Sequence, residues 1–266
     1  MKEPPAETLI KRFTRQTAQL EALTNQAIVQ RRKSNLTVRS VDAIFSSAFL
    51  SMHLQFELFL EDLFYSCITG NSNITDCEPE IKFANRNQAE QIFFGSVAFP
   101  IWMPYANGAE EIAKRAFVGG GPFARLQKQS DERKFLKDLT ALRNAIAHQS
   151  STALKKVEPL TSAMNPRRRT PAGYLQNLVQ GETQYSLHSA SLLGVASALS
   201  KTDLASAKKV MSPEDEYQKD EQTSAGRYQC VSCGKYKTLR AKRGKLGSCT
   251  RCLTLAKRPK AWRRVY

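Results

Sequence analysis

Apolar residues recur at helical spacing through most of the first 210 positions, and strand-like alternation is sparse before residue 227. Residues 6–33 read as a polar amphipathic helix. Leu9, Phe13, Leu20 and Leu23 form its stripe, and Arg31, Arg32 and Lys33 suit its C-terminal end. Residues 38–69 are the strongest core helix: Val41, Phe45, Phe49, Met52, Phe56, Phe59, Leu60, Leu63 and Phe64 repeat every three or four positions. Glu57, Glu61 and Asp62 leave it a polar strip, and Gly70–Asn71 supplies a stop. Residues 71–85 read as a loop, followed by short helices over 86–95 and 106–118 with an apolar turn, Pro100 to Pro104, between them. Gly119 to Pro122 marks a break. Further helices are expected over 131–149 and 184–210, separated by a basic segment with a proline at each end, Pro166 to Pro171. Residues 212–226 are polar and acidic without apolar period, a flexible linker. The expected architecture is an all-α bundle over 1–211, the 212–226 linker, and a small β module over 227–266.

Charge sets that last module apart. Residues 227–266 hold 13 Lys and Arg and no acidic residue. The other 27 basic residues of the chain's 40 face all 24 acidic ones, a net charge of +3 against +16 for the whole. Charge concentrated this way calls for a polyanionic partner, most often nucleic acid. The charged fraction of 24% and aromatic fraction of 9% are ordinary for a globular chain. The N-terminus alternates charge and lacks an apolar signal core. No run approaches the roughly 20 apolar residues of a membrane span. A cytoplasmic protein without a membrane partner is expected.

Cys230, Cys233, Cys249 and Cys252 form CxxC-x15-CxxC, the spacing of a zinc ribbon. Two CxxC turns close a tetrahedral thiolate site for one structural Zn2+, with no open position for catalysis. So short and polar a segment draws its folding energy from the metal rather than from burial. A dithiol redox role lacks a βαβ context, and disulfides are disfavoured in a reducing compartment. Residues 235–248 read as a β-hairpin with a basic tip. Lys235, Lys237, Arg240, Lys242, Arg243 and Lys245, with Trp262, Arg263 and Arg264, combine phosphate contacts with stacking surface, and Tyr228, Tyr236 and Tyr266 add further rings. The bland alternative is a solubilising basic tail.

The stretch Asp131 to Ser150 carries the candidate chemistry. Phe135, Leu139, Leu142 and Ile146 share one helix face; Asn144 and His148, four apart, share the opposite one, flanked by Ala141, Ala145 and Ala147. Arg143 sits between the faces. The run from Arg143 to His148 is R-x4-H with Asn144 after the arginine, and it resembles the motif of the HEPN superfamily. The upstream helix, with Glu57 inside an apolar run (residues 53–64), is similar to the helix preceding that motif in HEPN domains of the RiboL-PSP type. The resemblance is sharp at 143–148, moderate at 50–65 and general over 6–210. It implies a helical bundle that dimerises so that two motifs share a cleft. In many members it implies a metal-independent endoribonuclease of toxin–antitoxin or phage-defence systems, needing no cofactor for catalysis, acting on tRNA, mRNA or rRNA and held by an antitoxin or other regulator. Other members only bind nucleotides or serve as scaffolds, so an inactive scaffold acting through the ribbon is the alternative.

The side chains suit RNA cleavage. The 2′-OH is the nucleophile, His148 is an acid or base near neutral pH, and the planar fork of Arg143 clamps phosphate oxygens. Asn144 orients the histidine or bridges the dimer. An arginine and a histidine near a helix C-terminus also complement its dipole, which is the plainer reading. His53 and Glu57, four apart, read as a polar contact in the bundle; alternatively Glu57 hydrogen-bonds Arg143 or His148. His188 reads as structural or exposed, and Cys67 and Cys77 as apolar filler. Arg167, Arg168 and Arg169 read equally as a solvated loop and as an RNA contact.

Overall fold

The computed structural model describes residues 3–74, 77–95, 100–126, 130–162 and 164–200, together with the backbone of short strands between 216 and 265. The chain divides into two compact units, Met1–Thr202 and Asp203–Tyr266.

The first unit is mostly helical. Helix α1 (Ala6–Arg32) and helix α2 (Val38–Ile68) form a hairpin across Lys33 to Thr37. Thr37 caps α2 by accepting from the Ser40 N–H at 3.1 Å. The stripe read from the sequence is the buried face of α2: Phe45, Phe49, Phe56, Leu60, Leu63 and Phe64 have no exposed surface. By length and composition α2 qualifies as a membrane span, contrary to the expectation from residue runs alone. Its apolar side chains are instead spent on this core, with 15 of its 31 residues buried. Phe13 of α1 stacks on Phe59 of α2 at a centroid distance of 5.6 Å. Phe64 is the hub of an aromatic cluster with Phe93, Trp102, Phe117 and Phe123, at 5.3–6.4 Å. Burying each such ring contributes about 2–3 kcal/mol.

The shorter elements pack around α2. Helix α3 (Arg86–Phe93) is capped by Asn85, and α4 (Ala109–Ala116) leads into a 3-10 segment, Val118–Arg125. Gly119, Gly120 and Gly121 break that segment with φ of 63°, 80° and 53°, which only glycine adopts without strain. Helix α5 (Asp131–His148) follows.

The segment between α5 and the last helix holds more structure than the sequence suggested. It contains helix α6 (Ser151–Thr161), a 3-10 turn (Pro166–Arg168), helix α7 (Pro171–Gln176) and a hairpin of β1 (Leu178–Val179) and β2 (Glu182–Thr183). Ala153, Val157 and Thr161 bury one face of α6. Pro159 and Lys155–Lys156 masked that period. Helix α8 (Gln184–Ser200) covers the first part of the 184–210 prediction, and the remainder lies outside the described residues.

In the second unit, β3 (Glu216–Tyr217), β5 (Gly226–Cys230), β6 (Tyr236–Leu239) and β8 (Trp262–Val265) make one antiparallel sheet in the order β3-β8-β5-β6. β4 (Gln222–Thr223) pairs with β7 (Gly244–Lys245). β3 and β4 fall inside the segment read as a linker. The hairpin expected within 235–248 is not the pairing observed: β6 pairs with β5 across the first CxxC, and β7 pairs with β4. β5 bonds β6 on one edge and β8 on the other.

Candidate active site

Helix α5 is fixed at both ends. Ser130 caps its start, accepting from the Arg133 N–H at 3.3 Å, and Asp131 and Glu132 complement the dipole. The Arg133 guanidinium pairs with buried Glu110 and donates to the Leu126 carbonyl at 3.1 Å. At the other end Gln149 adopts the left-handed region at φ 49° and donates its N–H to the Ala145 carbonyl at 3.2 Å. Ser150 then caps α6, accepting from the Ala153 N–H at 3.2 Å. His148 is thus the last helical residue before a sharp turn.

Leu136, Leu139, Leu142, Ala145 and Ile146 are the buried residues of α5, and α5 packs on α2. Two expectations shift. Phe135 is only half-buried and stacks on His188 at 5.5 Å. Ala145 has no exposed surface and belongs to the core face rather than to a second face. Arg143 and Asn144 are half-buried; Ala147 and His148 are exposed.

The motif side chains meet. One guanidinium nitrogen of Arg143 donates to the Asn144 Oδ1 at 3.1 Å and lies 3.4 Å from the His148 Nε2. Five residues along a helix is more than one turn, so the contact needs the long arginine stem. With Arg143 as the donor, Nε2 is the acceptor and the ring carries its proton on Nδ1.

Beneath this group lie His53 and Glu57 on α2. His53 is 2% exposed, and its Nδ1 stands 3.7 Å from the Glu57 Oε1, too far for a hydrogen bond. Burial and the Arg143 charge push the His53 pKa down to about 4, so the ring is neutral near pH 7 and the contact is polar rather than ionic. Burial pushes the Glu57 carboxyl up, and Arg143 opposes that rise. Glu57 therefore faces Arg143 electrostatically, while the Arg143 guanidinium contacts Asn144 and His148. The His53 Nε2 is buried without a hydrogen-bond partner.

The remaining candidates are placed as follows. His188 is buried, ringed by Phe49, Phe135 and Tyr174, with a pKa pushed down to about 4 by burial. Arg168 donates to Gln176 Oε1, at the end of α7, at 2.8 Å, and Arg169 to the Met164 carbonyl at 3.0 Å, so both have partners within residues 164–176. The Arg167 side chain lies outside the described residues. So do Cys233, Cys249 and Cys252, and Lys235, Arg240, Lys242 and Arg243. Of the expected ribbon residues, Cys230 closes β5, Lys237 is on β6, Lys245 on β7, and Trp262, Arg263 and Arg264 on β8, described as backbone. In register, Tyr228 stands opposite Lys237 on one side and Arg264 on the other. Among the described residues no group of three metal-ligating side chains gathers. The Arg133–Glu110 pair that anchors α5 had no sequence signal, because its partners are joined only by the tertiary fold.

No protein family, curated protein or solved structure matches this chain.

Proposed function

We propose that the helical unit is a metal-independent endoribonuclease of HEPN type that works as a homodimer, and that the basic C-terminal module is a zinc ribbon that captures nucleic acid. The observation that carries the reading is the Arg143–Asn144–His148 group: a guanidinium in reach of a histidine nitrogen at an exposed helix end. In this reading His148 exchanges the proton of the 2′-OH or of the leaving 5′-oxygen, and Arg143 neutralises the phosphorane. The products are a 2′,3′-cyclic phosphate and a 5′-OH. One chain offers one exposed histidine here, so a second copy supplies the other acid–base group. Leu54 and Leu58, exposed on the turn of α2 that carries Glu57, suit such a self-pairing face.

By donor chemistry, four thiolates at CxxC spacing suit Zn2+, held by Cys230, Cys233, Cys249 and Cys252. The metal would supply folding energy and no step of cleavage. Tyr228 between Lys237 and Arg264 in the strand register accords with a nucleic-acid contact.

The test incubates purified protein with total RNA in EDTA beside His148→Ala and Arg143→Ala. Cleavage lost in both variants supports the enzyme. No cleavage, or cleavage equal in the variants, overturns it. A Cys230→Ser control separates loss of the ribbon from loss of the site.

A further inference from the structure

The strand register of the second unit sorts its residues onto two faces. Residues opposite each other across an antiparallel pair share a face, and faces alternate along each strand. Tyr228 on β5 stands opposite Lys237 on β6 and Arg264 on β8. Two residues on, Trp262 of β8 stands opposite Cys230 of β5 and Tyr217 of β3. These six residues belong to one face. The other face takes Arg227, Tyr236 and Arg263, with Glu216 opposite Arg263. The two faces differ in chemistry. Of the four aromatic residues in these four strands, Tyr217, Tyr228 and Trp262 share the first face and Tyr236 alone takes the second. The one carboxylate in these strands, Glu216, falls on the second. On the first face Lys237 and Arg264 flank Tyr228 in a single row, with no carboxylate opposite either in the register. Such a row does not make a core, because burying unpaired charge is too costly. Its composition, rings beside cations, suits bases and phosphates.

We propose that this face binds single-stranded nucleic acid, with unpaired bases stacked on Tyr228 and Trp262 and phosphates held by Lys237 and Arg264. The proposal rests on the reading of the module as a nucleic-acid binder, and adds to it a face and a strandedness. Tyr228 and Trp262 are diagonal neighbours on adjacent strands, a spacing of about 7–8 Å that leaves room for one base at each ring. Strandedness follows from the rings. A base inside a duplex keeps its faces against its neighbours, whereas an unpaired base offers a π-face to a side chain. Every base has such a face, so sequence preference is weak. The register also separates two neighbours in the chain: Arg264 belongs to the binding face, and Arg263 to the other, opposite Glu216. Tyr217 adds a third ring on the edge strand β3. It comes from the segment read as a linker, which makes that segment part of the binding sheet rather than a tether.

The test binds full-length protein to a single-stranded DNA carrying 5-iodouracil. DNA lacks the 2′-OH, so the probe survives whether or not the helical unit cleaves RNA. Irradiation joins the base to a stacked ring, and peptide sequencing by mass spectrometry locates the bond. Cross-links are expected on Tyr228 and Trp262, and 2′-O-methyl RNA of the same sequence should give the same ones. The single strand should bind more tightly than the same sequence as a duplex. Arg264→Gln should lower the slope of log affinity against log salt by about 0.7, while Arg227→Gln, the same change on the other face, leaves the slope as it was. Tyr228→Leu should weaken binding about 5–100-fold through the loss of one stacked base, and Tyr228→Phe, which keeps the ring, should bind like the wild type. Cross-links that miss both Tyr228 and Trp262, a duplex bound as tightly as the single strand, or equal slopes in Arg264→Gln and Arg227→Gln overturn the proposal and leave the module a nucleic-acid binder. A wild type that binds neither single strand nor duplex removes that reading, and the proposal with it. The cross-linking and the strand comparison use the wild-type protein, so they decide the matter even if a variant fails to fold.

Discussion

The Arg143 guanidinium lies 3.4 Å from the His148 Nε2, and the same nitrogen donates to Asn144 at 3.1 Å. A lysine at 143 keeps a charge but loses the planar fork that the proposed mechanism uses to clamp two phosphate oxygens at once. Arg143→Lys should therefore fold like the wild type and lose most of the cleavage proposed for this site. His148→Ala should lower the rate by about 10²–10⁴-fold, the usual contribution of a positioned acid or base. Rates on a short labelled RNA, with circular dichroism to confirm folding, decide it. Arg143→Lys at wild-type rate would reduce Arg143 to a dipole-complementing residue.

His53 and His188 make the helical unit acid-sensitive. An unfolded histidine takes its proton near pH 6.5, whereas each of these does so only at about 4 when folded. Their contribution to stability is complete above pH 6.5 and is lost as the pH falls toward 4, on the order of 2 kcal/mol each by pH 5. Glu57 and Arg143 face His53. The raised carboxyl of Glu57 protonates earlier folded than unfolded, so it offsets part of the loss. The rings of Phe49, Phe135 and Tyr174 surround His188. Urea midpoints at pH 7 and pH 5 should separate for the wild type and separate less for His188→Phe. An equal drop in both proteins would place the acid sensitivity elsewhere.

The site was legible because it is local. Arg143, Asn144 and His148 lie within six residues of one helix, and helical periodicity alone puts Asn144 and His148 on one side. α2 was legible for the same reason: its apolar stripe repeats from Val41 to Phe64 without a proline. α6 was not, because Pro159 and two lysines interrupt a three-residue stripe. Ala145 was misplaced because alanine fits a core face and a contact face equally, and only the packing of α5 on α2 chooses. The burial of His53 beneath Arg143 also depends on that packing, which no residue of α5 announces.

Leu54 and Leu58 are 52% and 42% exposed beside Glu57. If a second copy covers them, Leu54→Glu with Leu58→Glu should turn a dimer into a monomer in light scattering and lower RNA cleavage in step. The fold should not suffer, because neither side chain is in the core. A double variant that stays dimeric moves the interface to another face. A wild type that is monomeric at micromolar concentration removes the shared cleft altogether.

Glu110 and Arg133 form a pair whose side chains are 9% and 15% exposed, and Arg133 also holds the Leu126 carbonyl. Removing one partner strands a buried charge, at a cost of about 3–5 kcal/mol. Glu110→Ala should lower the urea midpoint sharply and loosen the start of α5. Hydrogen exchange would show that loosening as faster amide exchange over 131–137 than over 143–148. Replacing both residues with apolar partners of similar size should recover much of the stability. A single variant as stable as wild type would mean that water replaces the missing partner.

The cysteine module makes a stoichiometric claim. Native protein should carry one zinc per chain by elemental analysis, and Cys230→Ser or Cys249→Ser should carry none. Because so short and charged a segment gains little from burial, metal loss should unfold it while leaving the helical unit intact. Chelation should then abolish binding to single-stranded nucleic acid at moderate salt and leave the far-ultraviolet helix signal unchanged. Binding should also weaken steeply with salt, since 13 Lys and Arg in residues 227–266 make phosphate contacts the main source of affinity. Full binding by zinc-free protein would show that the basic residues act as an unfolded tail, and that the cysteines serve some other end.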